Sequence, residues 1–182
     1  MDYFISDIHF GDYFIFKHQK RPFVSVNDMN ESIIKRWNEK VTDKDDIWIV
    51  GDMISHSKQS NTYYLRQLNG IKHLIVGNHD YYLIRDNKAR NYFESIDNYK
   101  AFRMNDGYMV VLSHYPIAEW NGFYRNTYHI YGHIHNQKSN SAIYMAGLER
   151  ALSADIVINQ YQPASFMELI ENNKKYKAQM FI

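Results

Sequence analysis

Five short blocks of this sequence gather side chains that bind metal ions or move protons. They are Asp7-Ile8-His9, Gly51-Asp52, Gly77-Asn78-His79-Asp80, His114 and Gly132-His133-Ile134-His135. Aspartate, asparagine and histidine are hard-to-borderline donors, suited to Mn, Fe, Zn, Ni or Co. The chain has nine histidines and no cysteine. A metal site here must use nitrogen and oxygen donors, and disulfides, thiolate catalysis and cysteine zinc sites are excluded. Asp7, His9, Asp52, Asn78, His114, His133 and His135 are the candidate ligands. That is more than one ion ordinarily takes. Two ions sharing Asp52, whose carboxylate oxygens can each take one, fit the number. Such a pair can clamp the attacking and leaving oxygens of an in-line displacement at phosphorus.

Residues this far apart in sequence meet only if the elements bring them together. Each block follows a short apolar run: Tyr3-Phe4-Ile5, Ile47-Trp48-Ile49-Val50, His73-Leu74-Ile75-Val76, Met109-Val110-Val111-Leu112 and Tyr128-His129-Ile130-Tyr131. These runs predict buried strands. Polar residues at the C-terminal ends of strands are where α/β proteins build sites. Read as extended segments, D-x-H and H-x-H each point two ligands to one side. Ser25-Val26-Asn27-Asp28 caps a helix that carries Met29, Ile33, Ile34, Trp37 and Val41 at helical spacing. Residues 58–69 read as a helix closed by Gly70. Runs near 142–146 and 155–158 read as strands, and Ser165-Phe166-Met167-Glu168 is a capping box for a last helix toward Lys175. Alternating strands and helices followed by mostly strands predict an α/β sandwich with a mixed sheet core.

At 182 residues the chain has the size of one domain, spanning 1–182, and it carries no internal repeat or linker-like tract. Its formal charge of +1 argues against a nucleic-acid binder with a wholly basic surface, though not against a local groove. No stretch is long and apolar enough to predict a membrane span. Met1-Asp2-Tyr3 lacks the basic start of a signal peptide, so a cytoplasmic protein is expected.

In this order, the five blocks resemble the calcineurin-like metallophosphoesterase family. Arg21-Pro22-Phe23 and Pro163-Ala164-Ser165-Phe166 resemble its small, single-domain bacterial and phage members. The resemblance implies an α/β fold of two mixed β-sheets packed as a sandwich and flanked by helices. It implies a phosphatase or phosphodiesterase with two divalent ions, Mn²⁺ foremost, and attack by a metal-bridging hydroxide. Asp7, His9, Asp52 and His135 would hold one ion, and Asp52, Asn78, His114 and His133 the other. His79 would protonate the leaving oxygen, and Asp80 would orient the His79 ring. The expected partner is a small phosphate ester such as a nucleotide or cyclic nucleotide; homo-oligomers are compatible, and no membrane is expected. The alternatives are a nuclease using the same site and a non-catalytic binding module on the same fold. One position departs from the pattern: Phe10-Gly11 is followed by Asp12, where the small relatives carry histidine.

Other residues invite plainer readings. His18, His73 and His129 lie outside the five blocks, and His73 and His129 read as ordinary strand positions. His56, four residues past Asp52, can reach the rim of a cleft. His18-Gln19-Lys20-Arg21 reads as a solvated basic turn rather than a phosphate contact. Tyr115, Trp120, Phe123, Tyr124 and Arg125 either wall a substrate site or pack on the sheet.

Overall fold

The computed structural model describes residues 1–181. Among these residues, nine strands form two sheets. The first contains β1 (Asp2–Ile5), β2 (Asp46–Ile49), β3 (Ile71–Ile75), β4 (Phe93–Asp97) and β9 (Ala164–Ser165), in the order β4-β3-β2-β1-β9. β1 to β4 run parallel, and β9 pairs antiparallel with β1. The second sheet contains β5 (Tyr99–Arg103), β6 (Met109–Ser113), β7 (Tyr128–Tyr131) and β8 (Ala151–Ser153), in that order. β5 is antiparallel to β6, and β6, β7 and β8 are parallel. Both sheets are therefore mixed, as the sequence predicts.

Buried apolar residues set the layers. Phe4, Trp48, Val50 and Ile75 of the first sheet meet Val110, Leu112, Ile130 and Leu152 of the second. On the first sheet's outer face, Ile5, Ile47, Ile49 and Leu74 pack with Met29, Ile33 and Trp37 of α2 (Val26–Lys40). Strand residues with both faces covered read as continuous apolar runs, which is why these strands are legible. Ser25 caps α2 by accepting from the Asp28 N–H, and Ser165 with Glu168 forms the capping box of α7 (Phe166–Met180). That last helix runs a full turn beyond Lys175.

Three expectations need correction. The helix expected over 58–69 is only α3 (Asn61–Leu65), and its Ser60 cap makes no side-chain hydrogen bond. The run at 142–146 is not a strand but part of α6 (Asn140–Gly147), which Ser139 caps through the Ala142 N–H. Alanine and methionine favour the helix, and Ala142, Met145 and Ala146 share its buried side. Residues 155–158 form a turn instead of a strand, because the Asp155 carboxylate takes the N–H groups of Val157 and Ile158. No helix among the described residues is long and apolar enough to cross a membrane.

Candidate metal centre

The two sheets present the C-terminal ends of β1, β2, β3, β6 and β7 to one place. A bridge past the end of β1 stitches them there: the Ser6 N–H reaches the Ala154 carbonyl at 2.8 Å, and the Ile156 N–H reaches the Ser6 carbonyl at 3.1 Å. The ligand pairs are not on extended segments. Asp7, His9, Asp52, His133 and His135 all adopt positive φ, between 50° and 71°, just beyond the strands. This conformation costs a non-glycine residue roughly 1–3 kcal/mol and persists only where surrounding contacts hold it. Those contacts are present. The Asp7 N–H is bonded to the Gly51 carbonyl and the His9 N–H to the Asp52 carbonyl, each at 3.0 Å. The Arg21 guanidinium donates to the Asp7 carbonyl at 2.7 Å and to the Ile8 carbonyl at 2.6 Å. Arg21 is therefore buried as a clamp on the first ligand loop, and the solvated basic turn expected for it is corrected.

All seven candidate ligands converge. One donor atom from each of Asp7, His9 and His135 lies within 4.8 Å of the others, and the same holds for Asp7, Asp52 and His114. Asp52 Oδ2 stands between His9 Nε2, at 3.7 Å, and His114 Nε2, at 3.4 Å. Asn78 Oδ1 lies 3.1 Å from His114 Nε2 and 2.9 Å from His133 Nδ1. Room for the two carboxylates depends on glycine. A Cβ on Gly77 would collide with Asp52 Oδ1, and one on Gly132 would come within 2.6 Å of Asp7 Oδ2.

Three of the candidate-ligand histidines have Nδ1 engaged by a group outside the candidate set, whereas His133 Nδ1 meets Asn78 within it. His9 Nδ1 meets Ser55 Oγ at 2.9 Å, His114 Nδ1 meets the Val50 carbonyl at 2.9 Å, and His135 Nδ1 meets Asp155 Oδ2 at 3.2 Å. Each leaves Nε2 as the other nitrogen, an arrangement typical of metal-ligating histidines. His9 Nε2 is buried with no hydrogen-bond partner. An orphaned buried nitrogen facing a carboxylate, in a hard-to-borderline donor set, fits a divalent ion.

The electrostatics carry the same tension. Burial, reinforced by the Asp155 charge, lifts the Asp7 carboxyl to about 6. Burial opposes charge on His114, but its contact with Asp52 and the charges of Asp7 and Asp52 outweigh that and raise it to about 9. Burial also opposes charge on Asp52; the His114 hydrogen bond and charge and the His79 N–H bring it down to about 2. Burial pushes His9 well below the usual histidine range.

His79 is half-buried, and its ring lies 5.1 Å from the His9 ring and 6.2 Å from the His56 ring. Its backbone N–H donates to Asp52 Oδ1 at 2.8 Å. Asp80 does not hold the His79 ring. Its carboxylate accepts instead from the N–H groups of Asp52, Met53 and Gly77, at 2.8 to 2.9 Å, locking two ligand loops together. Both of its oxygens are thereby engaged by main-chain N–H groups. His56 sits at the cleft rim, exposed and at positive φ. Trp120 packs on the second sheet with Val111 and Tyr131, whereas Tyr115 leans on His133 with ring centroids 4.5 Å apart. Asp155 was not singled out from sequence, although it follows the apolar run Ala151-Leu152 much as Asp7 and Asp52 follow theirs. Nothing in the sequence marks Ser55.

Fold and site together define a two-sheet α/β protein whose histidine-, aspartate- and asparagine-lined centre has groups that could bind metal. The calcineurin-like phosphoesterase model matches residues 3–165, and the chain belongs to that family. An uncharacterized protein of Methanocaldococcus jannaschii is 31% identical over 177 residues, covering 94% of this chain and 92% of its own. A symmetrical bis(5'-nucleosyl)-tetraphosphatase of Buchnera aphidicola is 35% identical over 100 residues, half of this chain but 31% of the relative. The crystal structure of a protein of unknown function from Aquifex aeolicus superposes with a TM-score of 0.72 at 27% identity, covering 94% of this chain and 98% of the other.

Proposed function

We propose that the protein is a metal-dependent phosphoesterase that cleaves a small phosphomonoester or phosphodiester. The convergence of all seven ligand candidates around Asp52, with His79 beside them, carries this reading. Asp7, His9, Asp52 and His135 would hold one ion; Asp52, Asn78, His114 and His133 would hold the other. Bound there, two divalent ions, Mn²⁺ the first to test, would neutralise phosphoryl charge and acidify a water. The His79 ring makes no hydrogen bond to another described residue, so it is free to give a proton to the leaving oxygen. Its main-chain bond to Asp52 ties the His79 backbone to the candidate ligand set.

The substrate reading follows from the cleft beyond His79. In an in-line displacement the leaving group departs past the proton donor. Here it would enter a cleft of about 370 Å³ lined by His56, Ser57, Gln59, Asn61, Tyr81 and Tyr82. Its lining includes no lysine or arginine, and the Tyr81 and Tyr82 rings are exposed. The Arg85 guanidinium covers one face of Tyr81, 4.9 Å from the ring centroid, but hydrogen-bonding side chains beside the exposed Tyr82 ring suit a planar leaving group such as a nucleoside. A polynucleotide calls for cations along its path. A nucleotide or cyclic nucleotide is thus favoured over a nuclease substrate, and the partial relative's tetraphosphatase name is in keeping with a nucleoside-bearing ester.

The test is hydrolysis of p-nitrophenyl phosphate and its bis ester with Mn²⁺ or with chelator, followed by a panel of nucleotides, cyclic nucleotides and short oligonucleotides. Mn²⁺-dependent turnover is expected. His79→Ala should keep the metals and lose roughly 10²–10⁴-fold in kcat, the usual weight of a general acid. A metal-loaded protein inert toward every ester would leave the binding-module alternative standing. A fully active His79→Ala would remove the role assigned to His79.

A further inference from the structure

Asp12 lies outside the ligand set yet is buried beside it, and the hydrogen bonds running from it to His9 can be assigned by counting protons. Asp12 Oδ1 accepts the N–H groups of Phe14 and Ile15, at 2.8 and 3.0 Å. Asp12 Oδ2 lies 2.7 Å from Ser55 Oγ. An ionised carboxylate only accepts, so the single hydroxyl hydrogen of Ser55 points to Asp12. Ser55 Oγ then has only lone pairs for its contact with His9 Nδ1, at 2.9 Å. Nδ1 must be the donor. A neutral imidazole carries one N–H, so Nε2 keeps its lone pair. Nε2 is the buried nitrogen without a partner, 3.7 Å from Asp52 Oδ2. Main-chain bonds keep the relay in register: the Phe10 N–H reaches the Met53 carbonyl at 2.9 Å, and the Ser55 N–H reaches the Phe10 carbonyl at 3.4 Å.

We propose that Asp12 is a positioning residue which, through the Ser55 hydroxyl, fixes His9 in the Nδ1–H tautomer and keeps its Nε2 lone pair facing Asp52. The inference deepens the metal-dependent reading above and rests on it for its purpose. The tautomer itself is a property of the metal-free protein. Asp12 does more than start α1 (Tyr13–His18), since one oxygen serves the helix and the other serves the site.

Asp12→Asn is the deciding variant. The asparagine oxygen can keep both helix N–H bonds, but its amide donates to Ser55. The Ser55 hydroxyl is then released to donate to His9 Nδ1, and the ring proton moves to Nε2. Long-range ¹H–¹⁵N spectra of the metal-free, ¹⁵N-histidine-labelled protein read this directly. The wild type should show His9 protonated at Nδ1, and Asp12→Asn should show it shifted toward Nε2–H. Calorimetric Mn²⁺ affinity should fall by roughly 10–100-fold, the usual weight of such an outer partner. Ser55→Ala, which leaves the helix cap untouched, should give a mixed tautomer and a similar loss, and carries the test alone if Asp12→Asn does not fold. A wild-type His9 protonated at Nε2 overturns the proposal. So does a folded Asp12→Asn with the wild-type tautomer and affinity, which would leave Asp12 as a helix cap only. The stated tautomers in a protein that hydrolyses no ester would support the relay while removing the phosphoesterase reading.

Discussion

Two fully buried histidines show how a candidate ligand differs from a structural residue. His129 donates from Nδ1 to the Val111 carbonyl at 3.1 Å and accepts the Ile117 N–H on Nε2 at 3.0 Å. His9 has the first kind of bond and lacks the second. The difference predicts a pH dependence for His129. Burial holds it at about 4, against an unfolded value near 6.5. Above pH 6.5 neither state protonates it, and its full contribution to stability is present. Between about 6.5 and 4 the unfolded chain takes up a proton that the native state refuses, so stability falls as the solution is acidified. The loss approaches roughly 3 kcal/mol at pH 4. Urea unfolding of the wild type and His129→Gln from pH 8 to 4 isolates this contribution, because the carboxylates titrate alike in both. Parallel stability profiles would show that His129 does not titrate in this way.

At the scale of elements, the strand ends were legible because a continuous apolar run closing on an acid, amide or histidine is a local signal. Positive φ at Asp7, His9, Asp52, His133 and His135 was not legible, since only neighbouring loops hold it. Arg21 was misread for the same reason: its carbonyl partners lie 13 and 14 residues away in sequence. The 142–146 run was misread because a short apolar stretch suits helix or strand until its cap is seen. The glycines give a paired test of how elements make room for ligands. Gly77→Ala should disrupt the Asp52 carboxylate, costing about 1–3 kcal/mol and most Mn²⁺ affinity. Gly147→Ala, in the last turn of α6 with nothing within 4 Å of the new Cβ, should stabilise by about 0.4–1 kcal/mol and leave affinity unchanged. Equal effects of the two in denaturation and calorimetry would contradict the close packing of Gly77 against Asp52.

For the whole molecule, the sandwich was legible from the order of elements, whereas strand order depends on contacts between distant segments. The finished fold changes the electrostatic picture. Counting the ligands alone gives two carboxylates, so two divalent ions would leave the cleft positive. In the structure Asp12, Asp80 and Asp155 are buried as well as Asp7 and Asp52, and Arg21 is the buried guanidinium among their loops. Taken as ionised, these five carboxylates match in charge Arg21 plus two divalent ions. The candidate ligands also come from both sheets: Asp7, His9, Asp52 and Asn78 follow strands of the first, and His114, His133 and His135 follow strands of the second. Bound ions would therefore relieve buried charge and cross-link the sandwich. At 100-fold excess over Kd, binding adds about 2.7 kcal/mol, which for a chain of this size raises the unfolding midpoint by roughly 5–10 °C. Scanning calorimetry with Mn²⁺ and with chelator should show that rise. Asp7→Asn should behave oppositely in its two parts. Because burial and Asp155 disfavour the Asp7 charge, the metal-free variant should unfold at a higher temperature than metal-free wild type near pH 8. Having lost a ligand, it should gain little from Mn²⁺. A wild-type midpoint indifferent to Mn²⁺, or a metal-free Asp7→Asn less stable than wild type, would show that the buried acids are balanced by something other than bound cations.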